Sequence, residues 1–179
     1  GMAHVEAAAA MDRDLVVPAA NAAFPFLVAC GRVDDARAWR LRALEEEMEN
    51  AAAAQERRHL HPREPLAPHE ASPAEVERLA ALLDTFPVVR AAYLVRRALR
   101  YRPDVPAHLL VLDVGRYPDE KLGALVRAIA ARLELADEAW VEAPKRRRIR
   151  QAKRIAGSEV YRCDPGPRRW RLPGFALAR

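Results

Sequence analysis

The sequence predicts an α+β fold, a two-layer sandwich in the order helix, strand, strand, helix, strand, with a helical segment attached at its N-terminus. Three observations carry this. From Val88 onward the apolar period is two, with Val89, Ala91, Tyr93 and Val95 on one face and Arg90 and Arg96 among the residues on the other. His108–Val114 is apolar at nearly every position, as a central strand is. Leu122, Leu125, Val126, Ile129, Ala130 and Leu133 recur at steps of three and four, the stripe of an amphipathic helix. Two strands and a helix packing side on sheet give the sandwich.

In chain order, Gly1-Met2 reads as a tag remnant ahead of the natural start. Leu15–Cys30 is the one long apolar stretch, but Pro18, Asn21 and Pro25 interrupt it and it is shorter than the roughly twenty residues of a membrane-spanning helix. Leu27-Val28-Ala29-Cys30 matches a lipid-attachment pattern on its face; the acidic residues Asp12 and Asp14 around Arg13 contradict it, and Cys30 is expected to be a buried structural cysteine. Two distant cysteines, Cys30 and Cys163, make neither a disulfide framework nor a zinc site, so a reducing, cytoplasmic setting is expected.

Asp34 and Asp35 suit a helix start, and no Gly or Pro follows until after His59, which predicts one long helix. Leu41, Leu44, Met48 and Ala51 form a narrow seam, widened at one end by Trp39 and Ala43. Such a helix docks along one seam, on its own domain or on a second copy; Trp39, Leu41, Leu44 and Met48 are the candidate homodimer interface. Residues 1–60 are thus a helical segment, 61–71 a linker stiffened by Pro62, Pro65 and Pro68, 72–162 the α+β domain and 163–179 a basic tail. Ser72-Pro73-Ala74-Glu75 is a capping box with proline in the first turn, and Pro87 ends the helix that follows. Ala139–Ala143 is the third strand.

The chemistry is sparse. His59, His61 and His69 with Glu64 and Glu70 match no metal-ligand spacing and read as a polar linker. There is no phosphate loop or nucleophile elbow, and seven glycines leave few places for close approach to a cofactor. Asp113 lies at a strand end, while Asp119 and Glu120 suit the positive end of a helix. No catalytic, cofactor or metal residue is assigned. Charge is the conspicuous feature: residues 145–179 hold twelve basic and two acidic side chains, a net +10, so with the total of +5 the preceding residues carry −5. Lys145, Arg146, Arg147, Arg148, Arg150, Lys153 and Arg154 form the candidate polyanion-binding run. Trp140 is expected in the core, and Trp170 and Phe175 are expected to anchor the tail.

Pro87-Val88-Val89-Arg90-Ala91-Ala92-Tyr93-Leu94, then Pro106-Ala107-His108-Leu109-Leu110, an amphipathic helix, a strand at Ala139–Ala143 and a closing Val160-Tyr161 resemble the C-terminal domain of the bacterial enhanced serine sensitivity (SseB) proteins over about residues 79–162. The resemblance implies a cytoplasmic accessory or regulatory protein that acts through protein contacts without a catalytic site or cofactor. It supplies no functional residues.

Overall fold

A computed structural model describes residues 1–115 and 117–163. The fold is α+β with an N-terminal helical part. The described residues form two compact units: residues 1–64 with Ala98–Val105, and Pro65–Arg97 with the described residues of 106–163.

The helical unit contains α1 (Met2–Met11), a 3-10 turn at Arg13–Leu15, α2 (Val16–Ala29) and α3 (Val33–Arg58). The long helix spans what the sequence predicts. Proline does not break α2: Pro18 sits in the first turn, where its missing N–H is no loss, and Pro25 lies in the interior. Cys30, expected to be buried, is exposed at the C-cap of α2; the helix ends there and Gly31 turns the chain in a left-handed conformation, φ 72°. The core of this unit is largely alanine, with Ala9, Ala20, Ala23, Ala36 and Ala43 packed around Val16, Leu27 and Trp39.

Acidic and basic side chains close the unit. Arg13 donates to Glu46 at 2.9 Å and to Glu49 at 2.7 Å. The segment Ala98–Val105 is fastened by α3: the Glu56 carboxylate accepts from the backbone N–H groups of Arg100 and Tyr101, both at 3.0 Å, and Arg57 donates to the carbonyls of Arg102 and Val105. Arg102 is buried and donates to Asn50 at 2.7 Å, Asp14 at 2.9 Å and Asp104 at 3.2 Å. These bonds, that to Asp104 foremost, raise the Arg102 pKa and lower that of Asp104. Its backbone has φ 49°, a conformation that disfavours residues with a Cβ, so the guanidinium network holds strain in place.

The second unit is a mixed sheet with helices on it: β1 (Leu66–Pro68), α4 (Pro73–Asp84), β2 (Ala91–Arg97), β3 (Ala107–Asp113), α5 (Asp119–Ala130), β4 (Glu138–Glu142), α6 (Arg146–Ala152) and β5 (Glu159–Arg162). β2 pairs antiparallel with β3 along one edge; on the other edge β5 lies along Ala91–Tyr93 and β1 along Val95–Arg97. β3 and β4 are parallel, joined through α5. Part of the proline-rich linker is therefore a strand, and its edge position tolerates Pro68, which lacks an N–H. Paired positions Ala92 and Leu112, and Leu94 and Leu110, share one face with Leu79 and Leu83 of α4 and Leu125 and Ile129 of α5. The face of β2 expected to carry Arg90 and Arg96 is thus the one whose Ala92 and Leu94 enter the core, while Tyr93 and Val95, with Leu109 and Val111 of β3, are buried on the other face, over which α6 lies, so neither face of β2 is polar. Trp140, expected in the core, is partly exposed on β4 and donates to Glu138.

The predicted capping box is present. Glu75 accepts from the Ser72 hydroxyl and N–H and from the Ala136 N–H, which lowers its pKa to about 2 and ties the start of α4 to the segment after α5.

Arg102→Ala should lose about 2–3 kcal/mol of stability in urea titration, because Asp14, Asn50 and Asp104 lose a charged donor. Arg102→Gly should lose about 1 kcal/mol less, since glycine adopts the positive φ without strain. Equal losses would show that the backbone conformation carries no cost.

Candidate anion-binding surface

The basic run becomes α6 because no Gly or Pro occurs between Lys145 and Gly157, and because Ile149 and Ala152 give the short helix an inner side. At about 100° per residue, Arg148 lies beside Ala152 on that side. It is 4% exposed and donates to Glu142, itself 7% exposed, at 3.0 Å, and to Gln151 at 3.1 Å. Lys145 binds the same Glu142 carboxylate at 3.0 Å. Ser158, after the turn at Gly157, donates from its hydroxyl to the Ala152 carbonyl at 2.8 Å and accepts the Leu94 N–H at 2.7 Å. α6 is thus fastened to β4 by a buried ion pair and to β2 through Ser158.

The other side is uniformly basic. Arg146, Arg147 and Arg150, with Lys153 at the C-cap, fall within an arc of roughly 120°. All four are exposed, as is Arg154 just beyond, and the four arginines have no ion pair among the described residues. Lys153 stands 3.8 Å from Asp113 and over the Tyr93 ring. The seven-residue basic run therefore divides: Arg148 is withdrawn from solvent as an anchor, which corrects its assignment as a ligand-binding residue; Lys145 is shared with Glu142; Arg146, Arg147, Arg150, Lys153 and Arg154 form a surface.

A shallow cleft of about 330 Å³ adjoins this surface, lined by Arg90, Asp113, Gly115, Tyr117, Asp119 and Arg146. Gly115 has φ 64°, a backbone conformation that favours glycine; a Cβ there would lie 2.3 Å from the guanidinium carbon of Arg90, an exposed side chain that can move aside. Arg90 was expected only on a polar strand face; it precedes β2 and is exposed at the cleft. No local pattern announces this, because the register of β2 and β3 brings Arg90 and Gly115 together. Asp113, at the end of β3, faces Lys153 and accepts the Gly115 N–H, and Asp119 and Glu120 lie in the first turn of α5.

Of the linker histidines, His61 accepts the Arg63 N–H and His69 bonds the Gly157 carbonyl; Glu70 pairs with Arg96. Among the described residues no group of three His, Cys, Asp or Glu is placed to hold a metal. Trp170 and Phe175, expected to anchor the tail, lie outside the described residues. Of the dimer candidates, Trp39 is buried in the helical unit, while Leu41, Leu44 and Met48 are exposed. Among the described residues no helix is long and apolar enough to cross a membrane. No protein-family model matches the chain, and no curated protein or solved structure matches it.

His108, on β3, is buried with neither ring nitrogen hydrogen-bonded among the described residues. Burial lowers its pKa and outweighs the opposing charges of Asp137, 3.9 Å away, and Glu75; His69 and Arg96 act in the same sense as burial.

Two outcomes follow from this geometry. Arg148→Ala should cost about 3–5 kcal/mol by leaving Glu142 buried without its main partner, whereas Arg148→Met with Glu142→Leu should be far closer to neutral. For His108, the unfolded chain binds the proton more tightly, so stability is full above a pH of about 6.5 and falls as the pH drops toward the depressed folded value. His108→Leu should flatten that acid limb in denaturation curves taken between about pH 7 and pH 5; parallel curves for variant and wild type would assign the limb to other groups.

Proposed function

We propose that this chain is a non-enzymatic accessory protein that acts by binding, and that it binds an anionic polymer, nucleic acid first, through the arginine surface of α6. The observation that supports this reading is the division of the basic run. Were the run only a solvated helix balanced by the acidic body, its arginines would be dispersed among carboxylates. Instead Arg146, Arg147 and Arg150 share one exposed face with Lys153, while Arg148 and Glu142 fix that face to the sheet. Arginines in the first turn of a helix gain nothing from its dipole, so helix stability does not account for Arg146 and Arg147. Immobilised guanidinium groups bind phosphates with release of counterions. The SseB-like reading, a cytoplasmic accessory module, belongs to the same proposal and is compatible with the helix, strand, strand, helix, strand core.

The test is duplex and single-strand binding as a function of salt. Three to five phosphate contacts give a slope of log K against log salt of about −2.7 to −4.5 on duplex. Arg146→Ala, Arg147→Ala and Arg150→Ala together should reduce that slope by about 3 and abolish binding near physiological salt. Arg148 is left intact, since its loss breaks the buried pair. Binding that survives high salt or the triple replacement would place the contact elsewhere, and no binding at low salt would end the proposal.

A further inference from the structure

The helical unit presents a second surface that its own fold does not use. α3 packs on the rest of the unit with Ala36, Trp39 and Ala43. Leu41, Leu44 and Met48 lie about half a turn away on the helix circumference and are 61%, 48% and 65% exposed. Three large apolar side chains in a row on one exposed helix face form a patch of the kind that marks an interaction site. Their spacing of three and four residues is that of a coiled-coil seam, narrow enough for one helix to cover.

The charges on α3 select the occupant. The N-terminal half of the stripe is accompanied by Arg37 and Arg40, and the stretch beyond Leu44 by Glu45 and Glu47. Arg40 and Glu47 stand on the same flank of the seam, one turn either side of Leu44. We propose that a second copy of this chain docks here, with the two α3 helices antiparallel about a two-fold axis passing between Leu41 and Leu44. In that register Leu41 meets the partner's Leu44, Met48 packs on the aliphatic stem of the partner's Arg37, and Arg40 faces the partner's Glu47. The two-fold repeats each contact, because a self-complementary patch is all such an axis requires. A parallel pairing would instead set the glutamate clusters of the two copies level with one another, where like charges repel. An unrelated acidic or basic helix would satisfy only one half of the seam, whereas an antiparallel copy satisfies both. Trp39, buried in the unit's own core, takes no part.

Light scattering and sedimentation of the full chain at tens of micromolar test this. A mass of twice the 20.0 kDa chain is expected, and Leu44→Glu with Met48→Glu should give the single-chain mass with unchanged helical circular dichroism, both positions being exposed. Arg40→Glu alone and Glu47→Arg alone should each weaken the dimer by roughly two- to fivefold in Kd per ion pair lost. Combining them should restore it. A single-chain mass for the wild type, or a dimer indifferent to the glutamate substitutions, means that the stripe serves a different partner or none. A combined variant no stronger than the single ones overturns the antiparallel register.

Discussion

The second unit depends on β2 being enclosed on all sides. Its two edges are hydrogen-bonded, one to β3 and the other divided between β5 and β1, and both of its faces are buried. A strand in that position has no solvent-facing side on which to place polar groups, so every layer around it must supply apolar surface. α4 and α5 do so on one face through Leu79, Leu83, Leu125 and Ile129. Full burial of a leucine stabilises by about 1.5–3 kcal/mol, so Leu94, Leu110 and Leu112 at the centre of this stack outweigh any single polar contact at its rim. α6 covers the opposite face in part, which is why a helix so rich in arginine can be positioned at all: it lies against β2 and β3, and its outer side is left to charge.

The elements legible in the sequence were those with an uninterrupted period. β3, α5, the capping box of α4 and the extent of α3 all follow from apolar spacing or from the absence of Gly and Pro, and each is present. β1 was hidden because three prolines read as a stiff linker, and only tertiary pairing shows that Leu66–Pro68 runs beside Val95–Arg97. β2 was misjudged as half exposed, although Ala92 and Leu94 already placed apolar groups on its second face. For α6 the signal existed: Ile149 and Ala152 mark the inner side, and Arg148 is their neighbour on the helix circumference. What overrides the habit of assigning arginine to solvent is Glu142, six residues earlier and on another element. The Arg102 network had no local signal, since a positive φ at a residue with a long side chain is set by distant partners and not by its own preference.

Arginine therefore serves two opposed purposes in this chain. Arg102 and Arg148 are buried and held by carboxylates, Arg102 by the exposed Asp14 and Asp104, Arg148 by Glu142, which would be desolvated without a donor if the arginine were lost. Arg146, Arg147 and Arg150 keep their charge in water. A count of basic residues cannot separate these groups; burial and partner do, and the separation decides which positions tolerate neutralisation and which do not.

The alanine seam of the helical unit has a consequence for how that unit can vary. Ala20 and Ala23 of α2 and Ala36 and Ala43 of α3 are almost wholly buried, and a methyl group is nearly the smallest side chain that can occupy such a place. Truncation there removes little, because little is present to remove. Growth is another matter: one added branch on any of these residues pushes two backbones apart and disturbs the contacts on either side. The unit therefore has a steric ceiling rather than a hydrophobic floor. The inner surface of α3 is confined to residues no larger than those it already holds.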